Sequence, residues 1–206
     1  MTQARIYLAG PMVFYEDPEA VFNEMKDICA RHGLEGIAPL DNQIGVEGEE
    51  PGKALNVKIA RADFEAMHNV EGGIFCLDPL RRSPEMDVGT AVEIGYMKAL
   101  GLPMAGWSSD PRNYHDKVSD YFETLFGRSL TSTAPNATGG TSGLTRDPDG
   151  MLVHSEGMLQ NLMAHGGIEL AGGQVHADQT WQIAFENAAR SLAAQFENAL
   201  HNSAVS

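Results

Sequence analysis

The chain has 206 residues, with 14 Lys and Arg against 28 Asp and Glu, which gives a net charge of −14 at pH 7. That excess of negative charge repels a phosphate backbone, so we expect no nucleic-acid partner. Apolar runs are only a few residues long, against the roughly 20 residues that cross a membrane, so we expect no membrane partner. The first ten residues lack the basic and apolar regions of a signal peptide, and the cytoplasm is the expected compartment.

Strands and helices are predicted to alternate along the first half of the chain. Short apolar runs bounded by Gly, Pro or Asp predict strands, and apolar residues three and four positions apart predict helices. The predicted strands cover 5–9, 34–39, 72–78 and 102–107, and the predicted helices cover 18–32, 54–67 and 88–101. Such alternation is typical of right-handed crossovers in a parallel sheet. We therefore expect one α/β domain over 1–206, built on a doubly wound parallel sheet flanked by helices.

The second half of the chain is less regular until near its end. Residues 129–150 are poor in large apolar side chains and rich in Gly, Ser, Thr and Pro. We therefore expect an exposed loop insertion at 108–150. From Trp181 to Leu200 apolar residues return at helical spacing and predict a long amphipathic helix.

Three acidic residues are candidates for chemistry at one edge of the sheet. Ligands of open α/β sheets bind beyond the carboxyl ends of the strands, and Asp87 and Glu93 follow the third strand. Glu93 lies among apolar and small residues, where a carboxylate is costly unless it is paired or reactive. Spacing alone also allows a helix cap at Asp87 and an exposed Glu93. Asp63, in the preceding helix, either faces the same crevice or is a solvated surface charge.

Four segments together resemble the nucleoside 2-deoxyribosyltransferase family. They are IYLAGPMVF (6–14), PLDN (39–42), LDPLRRSPEMDVGTAVEIGYMKALG (77–101) and QNLM (160–163). The resemblance runs from residue 5 to 107 and resumes over 151–170. It implies a flavodoxin-like sheet, exchange of the base on a 2′-deoxynucleoside, and no cofactor.

The resemblance also implies catalytic roles for single residues. Glu93 falls on the nucleophile that attacks C1′ of the deoxyribose and forms a covalent glycosyl-enzyme, which gives retention at C1′. Asp87 and Asp63 fall on the acidic positions that bind the base and transfer a proton. Tyr7 falls on the tyrosine that orients the nucleophile, whereas its residue type alone suggests a core aromatic.

Four more residues are expected to contact substrate. Gly10 and Pro11 form the loop after the first strand, at the carboxyl edge of the sheet. Asn161 and Met163 fall on the pair that reaches the sugar from a neighbouring subunit, so the resemblance implies a homo-oligomer in which they complete a neighbouring active site. Residue type alone suggests a loop cap for Asn161 and a plain apolar residue for Met163.

Two other functions stay open. The first is an N-glycoside hydrolase that acts on nucleosides or their 5′-monophosphates through the same carboxylate. The loop GPMVFYEDPE (10–19) holds no Lys or Arg for a phosphate, so we favour a nucleoside. The second is a non-catalytic nucleoside-binding module, which has no need of a nucleophile.

The substrates are predicted to be a small-molecule deoxynucleoside and a free nucleobase. The segments DPRNYHDK (110–117) and DPDGMLVHSEGMLQNLM (147–163) are similar to the branch of the family that handles purines. The seven histidines show no metal-ligand spacing, so we predict no metal.

Overall fold

Strands and helices alternate through most of the computed structural model, which describes residues 3–42, 50–132, 144–154 and 157–205. The elements in chain order are β1 (Ala4–Ala9), α1 (Pro18–Arg31), β2 (Leu34–Ile37), α2 (Lys53–His68), β3 (Gly72–Cys76), α3 (Val88–Leu100), β4 (Met104–Ser108), α4 (Tyr114–Phe126), β5 (Thr131–Ser132), β6 (Thr145–Arg146), β7 (Leu152–Val153), α5 (Leu162–Glu169), β8 (Val175–Ala177) and α6 (Trp181–Val205). Among the described residues, no helix is both long enough and apolar enough to cross a membrane.

Five parallel strands form the central sheet in the order β2-β1-β3-β4-β8. The chain places β2 on one side of β1 and β3 on the other, so the direction of winding reverses between β1 and β3. This is the flavodoxin-like order, in which ligands bind beyond the carboxyl ends of the strands at the point of reversal. The predicted flavodoxin-like, doubly wound sheet flanked by helices is confirmed.

Strand β1 is buried on both faces, and its side chains point alternately to one face of the sheet and to the other. Ile6 and Leu8 pack into the core cluster that contains residues of α1 and α6. Tyr7 and Ala9 pack into the opposite cluster, which contains residues of α2, α3 and α5. Because side chains alternate along a strand, Tyr7 is directed toward α3.

Side chains in the flanking loops set the start of two helices. The carboxylate of Asp17 accepts a 3.0 Å hydrogen bond from the Ala20 amide at the start of α1. Asp87 does the same for α3 through the amide of Thr90. Because α3 begins at a capped residue, Asp87 and Glu93 are held on one rigid element, less than two turns apart.

The prediction of an exposed loop insertion over 108–150 is wrong for residues 114–126, which form α4. The Asn113 side chain caps its first turn by accepting from the Asp116 amide, and Gly127 ends it with a φ of 60°. Beyond α4, β5 pairs with β6 and β6 with β7 in a small antiparallel sheet. The rest of the predicted loop, residues 133–143, lies outside the described residues. Helix α5 and strand β8 were not predicted from the sequence.

Candidate active site

The site is built around a hydrogen bond from the Tyr7 hydroxyl to Oε1 of Glu93, at 2.8 Å. Tyr7 is fully buried in β1, and Glu93 is partly buried in α3. Burial raises the pKa of Glu93 to about 7, although the bond from Tyr7 acts in the opposite direction. Burial and the adjacent carboxylates also raise the pKa of Tyr7, so the phenol stays protonated and donates. The alternative of an exposed Glu93 is therefore wrong.

Asp63 supplies a second carboxylate to the same cluster. It lies in the last two turns of α2, and its charge raises the pKa of both Glu93 and Tyr7. Burial raises the pKa of Asp63 itself to about 6. Its Oδ1 is buried and has no hydrogen-bond partner among the described residues. A buried oxygen without a partner is unfavourable in the free protein and available to a ligand.

Asp87 caps helix α3 and also changes the electrostatic environment of Glu93. Its Oδ2 accepts from the amide of Thr90 at 2.8 Å and from the Thr90 hydroxyl at 3.0 Å, so the predicted helix cap exists. The negative charge of Asp87 also raises the pKa of Glu93. The cap interpretation of Asp87 is therefore confirmed, and its role toward a substrate stays a prediction. Since Thr90 occupies Oδ2, Oδ1 is the oxygen that a ligand can use.

The loop after β1 passes close to β3. A Cβ atom on Gly10 would lie 2.5 Å from the Cβ of Cys76, so only glycine allows this approach. Pro11 is buried and begins a short 3₁₀ turn that ends at Phe14. The glycine thus brings the chain across the carboxyl ends of β1 and β3, at the edge where ligands are expected.

A contact that the sequence analysis did not identify joins α2 and α3. The ring centroid of Phe64 lies 4.8 Å from that of Tyr96, and the Tyr96 hydroxyl is hydrogen-bonded to Nε2 of His68. Phe64 follows Asp63, and Tyr96 lies one turn beyond Glu93. The pair of aromatic rings at positions 64 and 68, one helical turn apart, is the sequence signal that could have indicated this contact.

Asn161 and Met163 do not join the carboxylate cluster in this chain. The Asn161 side chain caps α5 by accepting from the Met163 amide at 2.9 Å, as its residue type alone suggested. Asn161 is exposed, and the Met163 side chain is 75% exposed. Among the described residues, neither side chain is hydrogen-bonded to Glu93.

A cavity of about 410 Å³ is lined by residues other than those of this cluster. It is bounded by the loop 79–84 and by one face of α4, and none of Tyr7, Asp63, Asp87 and Glu93 lines it. We assign the site to the carboxylate cluster because the pKa values of Tyr7, Asp63 and Glu93 are raised and these residues lie at the ligand-binding edge of the sheet. Within the described residues, no group of three or more His, Cys, Asp or Glu is arranged to hold a metal ion.

The fold and the cluster define a flavodoxin-like α/β protein with a partly buried glutamate, hydrogen-bonded to a tyrosine, at the ligand-binding edge of its sheet. The family model for nucleoside 2-deoxyribosyltransferase matches residues 6–163, a range that includes Tyr7, the three acidic residues and Met163. The chain therefore belongs to the nucleoside 2-deoxyribosyltransferase family.

Comparison with single proteins agrees with this membership. An uncharacterised protein of Schizosaccharomyces pombe is 47% identical over 193 residues, which are 94% of this chain and 90% of that protein. A 2-deoxyribosyltransferase of Leishmania mexicana has a similar structure, with a TM-score of 0.58, 26% identity, and coverage of 90% of this chain and 97% of the other. A conserved protein of Enterococcus faecalis, 18% identical, shares the fold with a TM-score of 0.56 over 94% of this chain and 99% of the other. Family and structure together support an enzyme of the deoxyribosyltransferase class.

Proposed function

We propose that this protein transfers the 2-deoxyribosyl group of a purine 2′-deoxynucleoside to another free nucleobase, through a covalent intermediate on Glu93. The observation that carries the proposal is the 2.8 Å hydrogen bond from the Tyr7 hydroxyl to Oε1 of Glu93. It fixes the orientation of the carboxylate and leaves Oε2 for the substrate. A carboxylate nucleophile that is held in one orientation divides a displacement into two steps.

The two steps exchange bonds at C1′. In the first, Oε2 of Glu93 forms a bond to C1′ as the bond from C1′ to the base nitrogen breaks, and the base leaves with that electron pair. In the second, a nitrogen of the incoming base bonds to C1′, and the ester bond to Glu93 breaks. Two inversions give net retention. Without a 2′-hydroxyl, the cation-like transition state of a deoxyribosyl group is less destabilised, so one carboxylate suffices without a metal.

The departing base needs a proton, and we assign its supply to Asp63. The pKa of Asp63 is raised to about 6 by burial, so a fraction of this carboxyl is protonated near neutral pH. Its Oδ1 lacks a partner and is free to face a base nitrogen. Neighbouring carboxylates with raised pKa values retain a proton between them, which suits general acid catalysis. Asp87, through Oδ1, is then a hydrogen-bond acceptor for the base.

We assign the substrate class to nucleosides, with a purine as the donor base, from the acidic loop 10–19 and the purine-branch similarity of 110–117 and 147–163. One observation favours a second candidate, hydrolysis of 5′-monophosphates. The guanidinium of Arg81 lies 5.6 Å from the ring centroid of Phe14. The fold therefore places a cation next to the loop 10–19, which contains no Lys or Arg of its own. An exposed arginine at this edge is a group that a phosphate contacts.

Chromatography of the reaction products tests the function directly. Purified protein is incubated with deoxyinosine and adenine, and parallel reactions contain deoxyuridine or deoxyinosine monophosphate as the donor. The proposal predicts deoxyadenosine and hypoxanthine from deoxyinosine. Hypoxanthine without deoxyadenosine would indicate a hydrolase, turnover of the monophosphate alone would support the second candidate, and no turnover would indicate a binding module.

Replacing the nucleophile tests the intermediate. Glu93→Gln keeps the acceptor for Tyr7 but cannot form the ester, so exchange should be lost. Glu197→Gln, at an exposed position of α6, should leave exchange unchanged. A 2′-fluoro-substituted arabinosyl donor should slow release of the sugar and allow mass spectrometry to find it on the peptide that contains Glu93. Exchange by Glu93→Gln at the wild-type rate would refute the assignment.

We also propose a homo-oligomer in which Asn161 and Met163 complete a neighbouring site, a proposal supported by their exposure in the single chain. Complementation tests it, because Glu93→Gln and Asn161→Ala should each be inactive or impaired alone. In a mixed oligomer, the intact Glu93 of the second variant receives the intact Asn161 of the first. Activity should return on mixing after dissociation and reassembly. If Asn161 acts in its own chain, mixing restores nothing.

A further inference from the structure

Side-chain hydrogen bonds hold the irregular segment that leads into α5 and ends at Asn161. Nζ of Lys117 donates to the Leu159 carbonyl at 2.7 Å, and the Leu159 amide donates to Nδ1 of His165 at 3.1 Å. The Asn161 amide donates to Oε1 of Gln160 at 2.9 Å. Side chains thus hold this backbone together with one backbone hydrogen bond, in which the Tyr114 amide at the start of α4 donates to the Met158 carbonyl at 2.8 Å.

These side chains are a large share of the buried polar groups. Five polar or charged side chains are buried in the part of the chain that the structure describes: Thr90, Ser108, Lys117, Gln160 and His165. Three of them bind the segment before α5. A buried polar group is unfavourable unless its hydrogen bonds are made, so each marks a place where the backbone is held in one position.

Gln160 differs from the other two because its amide binds two separate parts of the site edge. It is 0% exposed, and its Nε2 donates to the Pro84 carbonyl at 3.1 Å while its Oε1 accepts from the Asn161 amide. A carbonyl can only accept and a backbone N–H can only donate, so the amide has one satisfactory orientation. Pro84 lies three residues before Asp87, in the loop between β3 and α3.

We propose that Gln160 is a positioning residue that couples two groups of the active site. Through Pro84 it holds the loop that leads to Asp87 in its own chain, and through the amide of Asn161 it holds the group that reaches the sugar. The inference rests on the proposed function. If Asn161 completes a neighbouring site, one buried amide connects two sites of the oligomer.

The loop that Gln160 holds has an unusual backbone conformation and is also bound to α4, since the Tyr114 hydroxyl donates to Oε1 of Glu85. Arg81 and Arg82 both have positive φ, 53° and 61°, which non-glycine residues rarely adopt. Its own backbone hydrogen bonds join Leu80 to Glu85 and Ser83 to Leu80, and they close the turn without tying it to α5. The bond from Gln160 to the Pro84 carbonyl connects the loop to the segment that leads into α5, so its loss should change the position of Asp87.

Gln160→Met tests the proposal because methionine has nearly the length of glutamine and makes neither hydrogen bond. Gln195→Met is the matched control, since Nε2 of Gln195 also donates to a backbone carbonyl, that of Met104, at 3.2 Å. Met104 begins β4, at the opposite edge of the sheet from the site. Both variants should lower the melting temperature. Only Gln160→Met should lower kcat/KM, by about tenfold or more for two lost bonds, mainly through a raised KM for the deoxynucleoside.

Gln160→Asn protects the test against a variant that fails to fold. It keeps the amide but is one methylene shorter, so it cannot reach Pro84 and Asn161 together. Its kcat/KM should lie between those of wild type and Gln160→Met. If kcat/KM of either Gln160 variant equals that of wild type, or falls no further than that of Gln195→Met, the positioning role is refuted.

Mixed oligomers with Glu93→Gln separate the two arms of the amide. In the first mixture, Glu93→Gln is combined with Gln160→Met. The Glu93→Gln chain supplies a correctly held Asn161 to the site with an intact Glu93, so a remaining defect reports the loss of the contact between Gln160 and Pro84. In the second mixture, wild type is combined with a chain that carries both Glu93→Gln and Gln160→Met. The site with an intact Glu93 then receives Asn161 from the doubly substituted chain, so a defect reports the contact of Gln160 with the Asn161 amide. Full activity in the first mixture refutes the role of the contact with Pro84, and full activity in the second refutes the role of the contact with the Asn161 amide. Wild-type protein that exchanges no base refutes the proposed function instead, which keeps the two failures distinct.

Discussion

Replacing Tyr7 by phenylalanine should move the pH dependence of the reaction rather than abolish the reaction. The substitution removes the hydroxyl that donates to Oε1 of Glu93 at 2.8 Å and leaves the aromatic ring in the core. A hydrogen bond to a charged group contributes about 1.5–3 kcal/mol, which corresponds to about 1–2 pH units in the pKa of that group. Since this bond favours the ionised form, the pKa of Glu93 should rise from about 7 to about 8–9.

The rate should follow the ionised fraction of the nucleophile. With a pKa of about 7, about half of Glu93 is ionised at pH 7, and with a pKa of 8–9 the fraction falls to about 1–10%. The value of kcat/KM for Tyr7→Phe at pH 7 should therefore be about 5–50 times lower than that of wild type. Most of the loss should disappear above pH 9, because Glu93 is then ionised in both proteins.

The assay is the pH profile of kcat/KM for deoxyinosine, measured from pH 5 to pH 10 with circular dichroism at each end to verify folding. Tyr96→Phe is the matched control, because it removes a tyrosine hydroxyl from α3 whose partner is His68 and not a carboxylate. Its acid limb should stay at the wild-type pH. A loss in Tyr7→Phe that is equal at every pH would refute the argument that Tyr7 acts by stabilising the ionised Glu93.

Two further predictions concern stability. Glu93 has its pKa raised from 4.5 to about 7 on folding, so the stability it contributes is complete below pH 4.5 and is lost as pH rises through 7. Glu93→Gln cannot ionise, so the difference between its free energy of unfolding and that of wild type should increase in favour of the variant by up to about 3 kcal/mol between pH 4.5 and pH 8. Urea titrations measure this difference, and a difference that is independent of pH would contradict the prediction. Gly10→Ala should lower the free energy of unfolding by about 1–3 kcal/mol, since its Cβ would lie 2.5 Å from that of Cys76. Gly95→Ala, with no atom within 4 Å of the added methyl, should be neutral or stabilising, and equal effects of the two alanines would refute the close-approach argument.

The sheet was predictable from the sequence because its strands carry local signals. The run RIYLA has the continuous apolar pattern of a strand buried on both faces, and β1 occupies Ala4–Ala9. Helix α4 was not predicted, although its capping residue Asn113 and its terminal Gly127 are ordinary helix signals. The Gly- and Ser-rich sequence after it dominated the interpretation of the whole segment. Strand β8 has three residues, too few for a period to be visible.

The site was predictable only in part, because its geometry depends on contacts between distant residues. Tyr7 and Glu93 are 86 positions apart, and nothing in either local pattern indicates that they meet. Their roles came from a family resemblance, and the contact came from the fold. Gln160 was invisible for a further reason, since its partners are a backbone carbonyl and a backbone amide. Any residue type can supply those groups, so no sequence pattern records the pairing.

The burial of Glu93 has opposite consequences for folding and for the proposed reaction. In the free protein a carboxylate taken from water is unfavourable, and the bond from Tyr7 offsets only part of that cost, which is why the pKa of Glu93 remains near 7. The glycosyl ester is neutral, so its formation removes the unfavourable buried charge. A carboxylate with few hydrogen bonds also has less solvation to lose when it attacks C1′. The same environment that is expected to favour the stability of Glu93→Gln over that of wild type as pH rises therefore favours the covalent step in wild type, as expected where stability and activity are in conflict.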